Sequence, residues 1–161
     1  MGTDTSPRIA VLIPCYNAEA AIAATVRGFR EALPSATVYV YDNNSRDRTR
    51  ELAAEAGAVV RSERQQGKGH VVRRMFADID ADLYVMADGD LTYDPKAAPA
   101  MVELALAEQL DMVVGTRRHE AKDAYRGGHV LGNRLFNGLL RGLFGRSFTD
   151  IFSGYRVFSR R

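Results

Sequence analysis

Strand-like and helix-like segments alternate along the first 115 residues, and this alternation constrains the fold more than any other feature. Short apolar or β-branched runs predict strands, and longer runs of good helix formers predict helices. The predicted strands cover residues 8–14, 37–42, 58–61, 82–87, 111–115 and 155–159, and the predicted helices cover 18–33, 47–56, 67–79 and 95–108. Short links between these segments favour an α/β fold, with a mostly parallel central sheet and helices on both faces.

Length and composition indicate one globular domain without a disulfide or zinc framework. The chain has 161 residues, of which 46% are hydrophobic and 26% charged, with one cysteine and three histidines. We expect residues 1–7 to form a flexible lead-in and residues 8–161 to form a single domain. No run approaches the ~20 apolar residues of a membrane span, and no signal peptide opens the chain. These features predict a cytoplasmic location.

The formal net charge of +2 hides two oppositely charged parts of the chain. Residues 1–112 have 12 Lys and Arg against 17 Asp and Glu, whereas residues 113–161 have 10 against 3. The basic last third is therefore suited to anionic partners. Within it, residues 127–144 have leucines at fourfold spacing, which predicts an amphipathic helix. This helix either packs on the core of its own domain or meets an anionic lipid surface. Nucleic-acid binding fits less well, because aromatic and basic residues are not interleaved.

Polar residues follow the predicted strands, where parallel α/β sheets bind their ligands. The sharpest signal is Asp88-Gly89-Asp90, directly after the strand at 82–87. Two carboxylates at this spacing can turn toward one hard cation, and Mg²⁺ or Mn²⁺ would leave coordination places for diphosphate oxygens. The simpler alternative is a solvated acidic turn.

Other strand ends carry weaker signals. Asp42 can accept hydrogen bonds from a nucleobase or ribose, whereas Ser45 and Asp47 favour capping of the following helix. Lys68 stands between two glycines and can reach an anion, although the spacing is not that of a P-loop. Cys15 is interpreted as a packed residue, because the sequence offers it no partner base.

Six segments occur in the order found in a known family of enzymes: PCYNAEAAI, DNNSRDRT, QGKG, ADGDLTYD, VVGTRR and TDIFSGYR. Through them the chain resembles the family 2 glycosyltransferases with the GT-A fold, especially the branch of dolichol- and polyprenyl-phosphate sugar transferases. The resemblance extends from Arg8 to the last residue. It implies a Rossmann-like GT-A sandwich and a catalytic domain that transfers a sugar from a nucleotide-diphosphate sugar.

The resemblance also implies the roles of particular residues. The nucleotide-sugar-binding residues would be Pro14, Tyr16, Asp42, Lys68, Asp88, Arg117 and Arg156. The first three would contact the base and ribose, and the two arginines would contact phosphate. Asp88 and Asp90 would hold the Mg²⁺ or Mn²⁺ that bridges the diphosphate. Asp150 would be the catalytic base toward a hydroxyl acceptor, or would only orient an acceptor that is already an anionic phosphate.

The implied partners are a UDP- or GDP-linked sugar donor and an acceptor such as a lipid phosphate at a membrane surface, with no nucleic acid. The family's transferases usually continue beyond the point that corresponds to Arg161. We therefore expect a catalytic domain truncated at its C-terminal end, from a full-length parent associated with a membrane.

The chain departs from the family pattern at three positions. Ala18 stands where Glu often follows the Tyr-Asn pair, Asn43 replaces the second acid of a common Asp pair, and Thr92 occupies a position where some relatives have Gln. The first departure puts one contact to the base in doubt, and the last leaves a third metal ligand unassigned.

Three other functions stay open from the sequence. Asp88-Gly89-Asp90-Leu91-Thr92 matches the DxDxT signature of haloacid-dehalogenase phosphatases, although that signature normally follows the first strand rather than the fourth. A nucleotidyltransferase would use a related fold and similar metal-diphosphate chemistry. An inactive module would bind the nucleotide sugar without transferring it.

Overall fold

The computed structural model of the protein describes residues 6–116 and 153–160. Its strands are β1 (Ile9–Cys15), β2 (Thr37–Asp42), β3 (Val59–Ser62), β4 (Leu83–Met86), β5 (Met112–Val114) and β6 (Arg156–Ser159). Its helices are α1 (Ile22–Ala32), α2 (Thr49–Glu55), α3 (Lys68–Asp78) and α4 (Ala98–Ala107), the last preceded by a 3₁₀ turn at Pro95–Ala97. Residues 117–152, which contain Arg117, Asp150 and the helix predicted over 127–144, lie outside the described residues.

The described strands form one six-stranded sheet in the order β3-β2-β1-β4-β6-β5. Strands β3, β2, β1 and β4 are parallel neighbours, whereas β6 pairs antiparallel with both β4 and β5. The predicted mostly parallel sheet is confirmed. The insertion of the last strand between β4 and β5 was not predicted.

Helices cover both faces of the sheet, because its central strand β1 has apolar side chains on both faces. Its side chains alternate, so that Val11 and Ile13 join one buried cluster and Leu12 joins another. The first cluster contains residues of α1, α2 and α4, and the second contains Val71 and Met75 of α3. A strand buried on both faces reads as a continuous apolar run, as residues 8–14 do.

The first helix begins later than the sequence predicted. Residues 18–21 are favourable for a helix, but Thr49 Oγ1 accepts the backbone N–H of Ala18 at 2.7 Å and Asp47 accepts that of Glu19 at 3.2 Å. These bonds hold the segment in a turn against the start of α2, and α1 begins only at Ile22. The loops that follow β1 and β2 are thereby joined.

No helix in the described part of the chain is both long and apolar enough to cross a membrane.

Candidate functional site

A cleft of about 230 Å³ opens at the carboxyl ends of β1, β2 and β4, where the sequence placed the candidate site. Its lining residues are Pro14, Cys15, Tyr16, Asn43, Gln66, Gly67, Lys68, Val71 and Asp88. Four of the predicted nucleotide-sugar-binding residues, Pro14, Tyr16, Lys68 and Asp88, therefore lie around one cavity, although they come from three separate segments of the chain. The remaining lining residues are Cys15 at the end of β1, Asn43 after β2, Gln66 and Gly67 of the loop before α3, and Val71 of α3.

A larger cavity, of about 440 Å³, lies at the opposite edge of the sheet between the end of α3 and Arg160. Its charged side chains are paired with one another or with neighbours: Asp78 with Arg74, and Asp80 with Arg8 and Arg160. We assign no function to it, because the charges serve the fold and the predicted motifs lie elsewhere.

Lys68 and Asp88 form an ion pair between Nζ and Oδ1 within the cleft. Lys68 is the first residue of α3, and Asp88 follows β4 by two residues. Asp88 is partly buried, whereas the Lys68 side chain is about half exposed. The pair places one positive and one negative group side by side in the cleft, the arrangement needed to hold a phosphate and its cation.

Because Gly89 has no side chain, the chain can leave β4 close to the buried core. A Cβ at this position would meet Ile13, Ile22 and Cys15 at 3.2–3.4 Å. The next residue, Asp90, is exposed, and its Oδ1 accepts the backbone N–H of Thr92 at 3.0 Å. The turn therefore uses one carboxylate oxygen of Asp90 for its own structure.

The donor set fits a cation that obtains further ligands from a diphosphate. Among residues 6–116 and 153–160, no group of three or more His, Cys, Asp or Glu side chains is placed to hold a metal ion. Asp88 and Asp90 nevertheless offer hard carboxylate oxygens, and Mg²⁺ sites at phosphates commonly use one or two carboxylates. The arrangement is chemically suited to Mg²⁺ or Mn²⁺ bound together with a nucleotide, and unsuited to a closed protein site.

The segment 153–156 packs against the loop that carries the two aspartates. Tyr93 Oη accepts the backbone N–H of Gly154 at 2.6 Å, and Tyr155 Oη donates to the carbonyl of Asp94 at 3.2 Å. The two tyrosine rings lie 5.3 Å apart, and burial raises the pKa of the Tyr155 phenol. The end of the described chain thus braces the loop between β4 and α4.

Arg156, predicted to contact phosphate, begins β6 and lies opposite Met86 of β4 in the sheet. Its Nε donates to the carbonyl of Ser153 at 3.0 Å. Its backbone is therefore at the same edge of the sheet as Asp88, but Arg156 is not among the residues that line the cleft.

Asp42 is not among the residues that line the cleft. It is 2% exposed, both of its carboxylate oxygens lie 3.3 Å from the backbone nitrogen of Ser45, and Arg50 Nη1 is 3.6 Å from Oδ2. In this structure Asp42 holds the turn after β2, and its predicted contact with the base and ribose stays a prediction.

The predicted capping residues of α2 behave differently from each other. Ser45 does not cap the helix, since its Oγ accepts the backbone N–H of Asn17 at 2.8 Å. Asp47 accepts the backbone N–H of Thr49, the first residue of α2, at 3.0 Å. The bond from the Thr49 hydroxyl is the largest of the causes that lower the pKa of Asp47. The Ser45 prediction was wrong because this side chain instead joins two neighbouring loops.

Cys15 is packed, as its sequence context indicated. Burial, and then the charge of Asp42, raises the pKa of its thiol to about 12. Its Sγ donates to the carbonyl of Tyr41 at 3.6 Å. A neutral, bonded thiol of this kind is a poor nucleophile.

Asn43 is the residue whose role the sequence did not reveal. It is 3% exposed, and its side-chain amide is bonded to the loop that precedes α3. The sequence signal for a special role was that Asn43 replaces the second acid of an Asp pair common in the family that the chain resembles.

Known proteins give an independent description of the chain. The family model "Glycosyl transferase family 2" matches residues 10–161. The chain is 52% identical over 122 residues to protein RfbJ of Shigella flexneri, covering 75% of this chain and 95% of that protein. It is 38% identical over 158 residues to glycosyltransferase AglJ of Haloferax volcanii, covering 97% of this chain and 52% of that protein.

A solved structure shares most of the fold. Glucosyl-3-phosphoglycerate synthase of Mycobacterium tuberculosis, in complex with Mn²⁺, UDP-glucose and phosphoglyceric acid, matches with a TM-score of 0.77 at 27% identity. The match covers 96% of this chain and 57% of the synthase. The chain thus spans little more than half the length of AglJ or of the synthase.

Proposed function

Because the chain belongs to glycosyl transferase family 2 and has the predicted GT-A fold, we propose that its cleft binds a nucleoside-diphosphate sugar together with Mg²⁺ or Mn²⁺ and that the sugar is transferred to an acceptor. The observation that carries the proposal is the meeting of Pro14, Tyr16, Lys68 and Asp88 around one cleft at the strand ends. An ion pair of Lys and Asp beside an apolar wall and an exposed aromatic ring suits a ligand with a flat base at one end and a diphosphate at the other.

The base end of the donor is assigned to Pro14 and Tyr16. Tyr16 is 52% exposed at the rim of the cleft, so its ring is accessible for stacking on a nucleobase. Pro14 presents an apolar surface beside it.

The diphosphate end is assigned to Lys68, Asp88 and Asp90. The leaving group is a nucleoside diphosphate, on which negative charge increases as the glycosidic bond breaks. In this proposal the Lys68 ammonium stabilises that charge, and a positive group held in position before the reaction costs little reorganisation. A bound Mg²⁺ or Mn²⁺ would supply Lewis-acid stabilisation of the same diphosphate, with Asp88 and Asp90 as its protein ligands. Binding of the cation requires Asp88 to share or release its ion pair with Lys68.

The other predicted residues remain part of the proposal. Arg117 and Arg156 are assigned to phosphate, Asp150 to the acceptor as base or orienting group, and Asp42 to the base and ribose. The comparison supports the donor class, since the similar synthase was solved with Mn²⁺ and UDP-glucose.

For the acceptor we propose a molecule that carries phosphate, such as a polyprenyl phosphate. Two observations support this class. The last third of the chain is basic, and the synthase structure contains phosphoglyceric acid, which also carries a phosphate. An anionic phosphate oxygen needs little help from a base to attack the sugar.

A thermal-shift panel tests the donor proposal directly. The protein is heated with UDP, GDP and their glucose and mannose derivatives, each with and without Mn²⁺. We expect one nucleotide series to raise the midpoint of unfolding, and the increase to require Mn²⁺. Stabilisation by no nucleotide sugar would contradict the proposal.

Donor turnover distinguishes an enzyme from a binding module. Transfer to a polyprenyl phosphate, or slow hydrolysis of the donor, is expected in the presence of Mn²⁺. Tight binding with neither reaction would identify an inactive nucleotide-sugar-binding module instead.

A further inference from the structure

The side chain of Asn43 uses its donor and acceptor groups on a single loop, residues 63–67. Its amide nitrogen donates to the carbonyls of Glu63 and Gln65, each at 2.8 Å. Its Oδ1 accepts the backbone N–H of Gly67 at 2.7 Å and the side-chain amide of Gln66 at 3.3 Å. The backbone N–H of Asn43 donates to the carbonyl of Cys15 at 2.9 Å, which anchors the residue to the end of β1. Four hydrogen bonds thus connect a buried side chain to one loop.

Only an amide suits this set of partners. Two of them are carbonyl oxygens, which need a donor, and two are N–H groups, which need an acceptor. Asparagine offers both, whereas an ionised aspartate is acceptor-only. An aspartate at position 43 would place a carboxylate oxygen against two carbonyl oxygens in a buried site, where unfavourable electrostatic contacts are poorly screened.

The loop that Asn43 holds leads directly into the cleft. Gly67 has φ +131°, a conformation that side-chain-bearing residues rarely adopt, and the next residue is Lys68 at the start of α3. Lys68 in turn forms the ion pair with Asp88. The position of the ammonium group therefore depends on the conformation of residues 63–67.

We propose that Asn43 is a positioning residue for the sugar donor: its amide holds residues 63–67 closed against the cleft and so sets where Lys68 meets Asp88 and the diphosphate. The proposal rests on the proposed function for its ligand. It also gives a reason for the departure from the acid pair: at this position the chain uses the amide to donate as well as to accept hydrogen bonds.

Three substitutions separate the possible causes of an effect. Asn43→Ala removes the bonds to the loop without adding charge, and Asn43→Asp removes the donors and adds a negative charge. Asn44→Asp is the comparison variant: the Asn44 amide also donates to Arg64 and Gln66 of the same loop, but Asn44 is exposed, so water can replace these two bonds. It adds the same charge one residue away, in a left-handed conformation (φ +67°) that aspartate tolerates.

Two measurements are made on each variant. The first is amide hydrogen exchange of Gly67, which reports on the loop in the absence of any ligand. The second is the affinity for the nucleotide sugar with Mn²⁺, together with kcat and KM where transfer is detected. In the proposed function Lys68 binds the diphosphate and also stabilises the charge that increases on it in the transition state, so its displacement should both raise KM and lower kcat.

We expect both Asn43→Ala and Asn43→Asp to weaken donor binding by roughly tenfold or more. Gly67 exchange should accelerate most in Asn43→Ala, because the carboxylate of Asn43→Asp still offers an acceptor to the Gly67 N–H. Asn44→Asp should stay within about twofold of the unsubstituted protein in both measurements. If Asn43→Asp does not fold, Asn43→Ala still tests the loop.

Unchanged Gly67 exchange and donor affinity in Asn43→Ala would overturn the proposal, as would an equal loss in Asn44→Asp. Failure of the unsubstituted protein to bind any nucleotide sugar would instead contradict the proposed function. In that case Gly67 exchange still decides whether Asn43 holds the loop.

Discussion

Gly154 lies directly against the carboxylate of Asp88, although 65 residues separate them along the chain. A Cβ on Gly154 would come within 2.5 Å of Asp88 Oδ2 and 3.2 Å of the hydroxyl of Tyr93. The absence of a side chain at position 154 is thus what allows segment 153–156 to support the acidic loop. The position of Asp88 depends on backbone contributed by the last described segment of the chain.

This contact predicts the effect of Gly154→Ala. The added methyl group must displace Asp88 or the backbone beside it, and overpacking of this kind costs about 1–3 kcal/mol. We expect Mn²⁺-dependent binding of the nucleotide to weaken by about tenfold, measured by calorimetric titration. Gly69→Ala is the control, since a Cβ there meets nothing within 4 Å. Equal affinities in the two variants would show that Asp88 is not constrained by Gly154.

Asp90→Asn is expected to abolish metal-dependent donor binding without unfolding the loop. The amide oxygen of asparagine still accepts the N–H of Thr92, but the negative charge that attracts the cation is lost. Calorimetric titration with Mn²⁺ and the nucleotide that the thermal-shift panel identifies, UDP or GDP, measures the effect.

A matched control for this substitution lies in the same loop. Asp94 Oδ1 accepts the N–H of Lys96 at 3.0 Å, the same bond over the same spacing. Asp94→Asn should therefore leave Mn²⁺-dependent binding unchanged. If Asp90→Asn also retained it, the assignment of the metal to Asp90 would be wrong.

Tyr16→Ala should weaken donor binding by roughly tenfold, because stacking of a base on an aromatic ring contributes about 1–3 kcal/mol. Tyr16→Phe retains the ring and should bind the donor nearly as well. Because Tyr16 is exposed, neither change should lower the midpoint of thermal unfolding appreciably. An equal loss with phenylalanine and with alanine would favour a role for the hydroxyl instead of stacking.

Cys15 predicts a loss of stability at alkaline pH. The thiol has a reference pKa of 9.0, and burial raises it to about 12 in the folded protein. The neutral buried thiol therefore favours the folded state fully below pH 9.0, and this contribution is lost as the pH rises toward 12. The free energy of unfolding should fall by up to about 1.4 kcal/mol per pH unit in this window from this group alone.

Cys15→Ala isolates the contribution of the thiol from that of other groups that ionise at high pH. The difference in unfolding free energy between the unsubstituted protein and Cys15→Ala should decrease by about 1.4 kcal/mol between about pH 8 and about pH 10. Urea unfolding at both pH values measures it. A difference that does not change with pH would contradict the raised pKa.

Local patterns in the sequence were sufficient for most of the secondary structure. The apolar run at 8–14 and the β-branched run at 37–42 became β1 and β2 to within one residue at each end. The start of α1 was missed, because bonds from the N–H groups of Ala18 and Glu19 to Thr49 and Asp47 hold residues 18–21 in a turn against the start of α2. Helix propensity depends on a residue and its neighbours in the sequence, and it does not account for hydrogen-bond partners about thirty residues away.

The location of the candidate site could also be predicted from the sequence. Lys68 and Asp88 follow strands of a parallel sheet, and that rule alone brought them to one edge. The hydrogen bonds of the Asn43 side chain could not be predicted. Most of its partners are backbone groups about twenty residues further along the chain, and the sequence does not indicate how those groups are oriented. The antiparallel placement of β6 was hidden too, because it depends on pairing between distant segments.

The place of β6 in the sheet has a consequence for synthesis on the ribosome. Strands β1 to β4 can pair in the order in which they emerge, but β5 pairs with β6, which is made only after residues 115–155. Until then the edge of β4 that β6 will occupy is open, and an unpaired strand edge is a template for other chains. We therefore expect a nascent chain that stalls before residue 153 to be a substrate for chaperones, and release of β6 to be the event that covers this edge of β4.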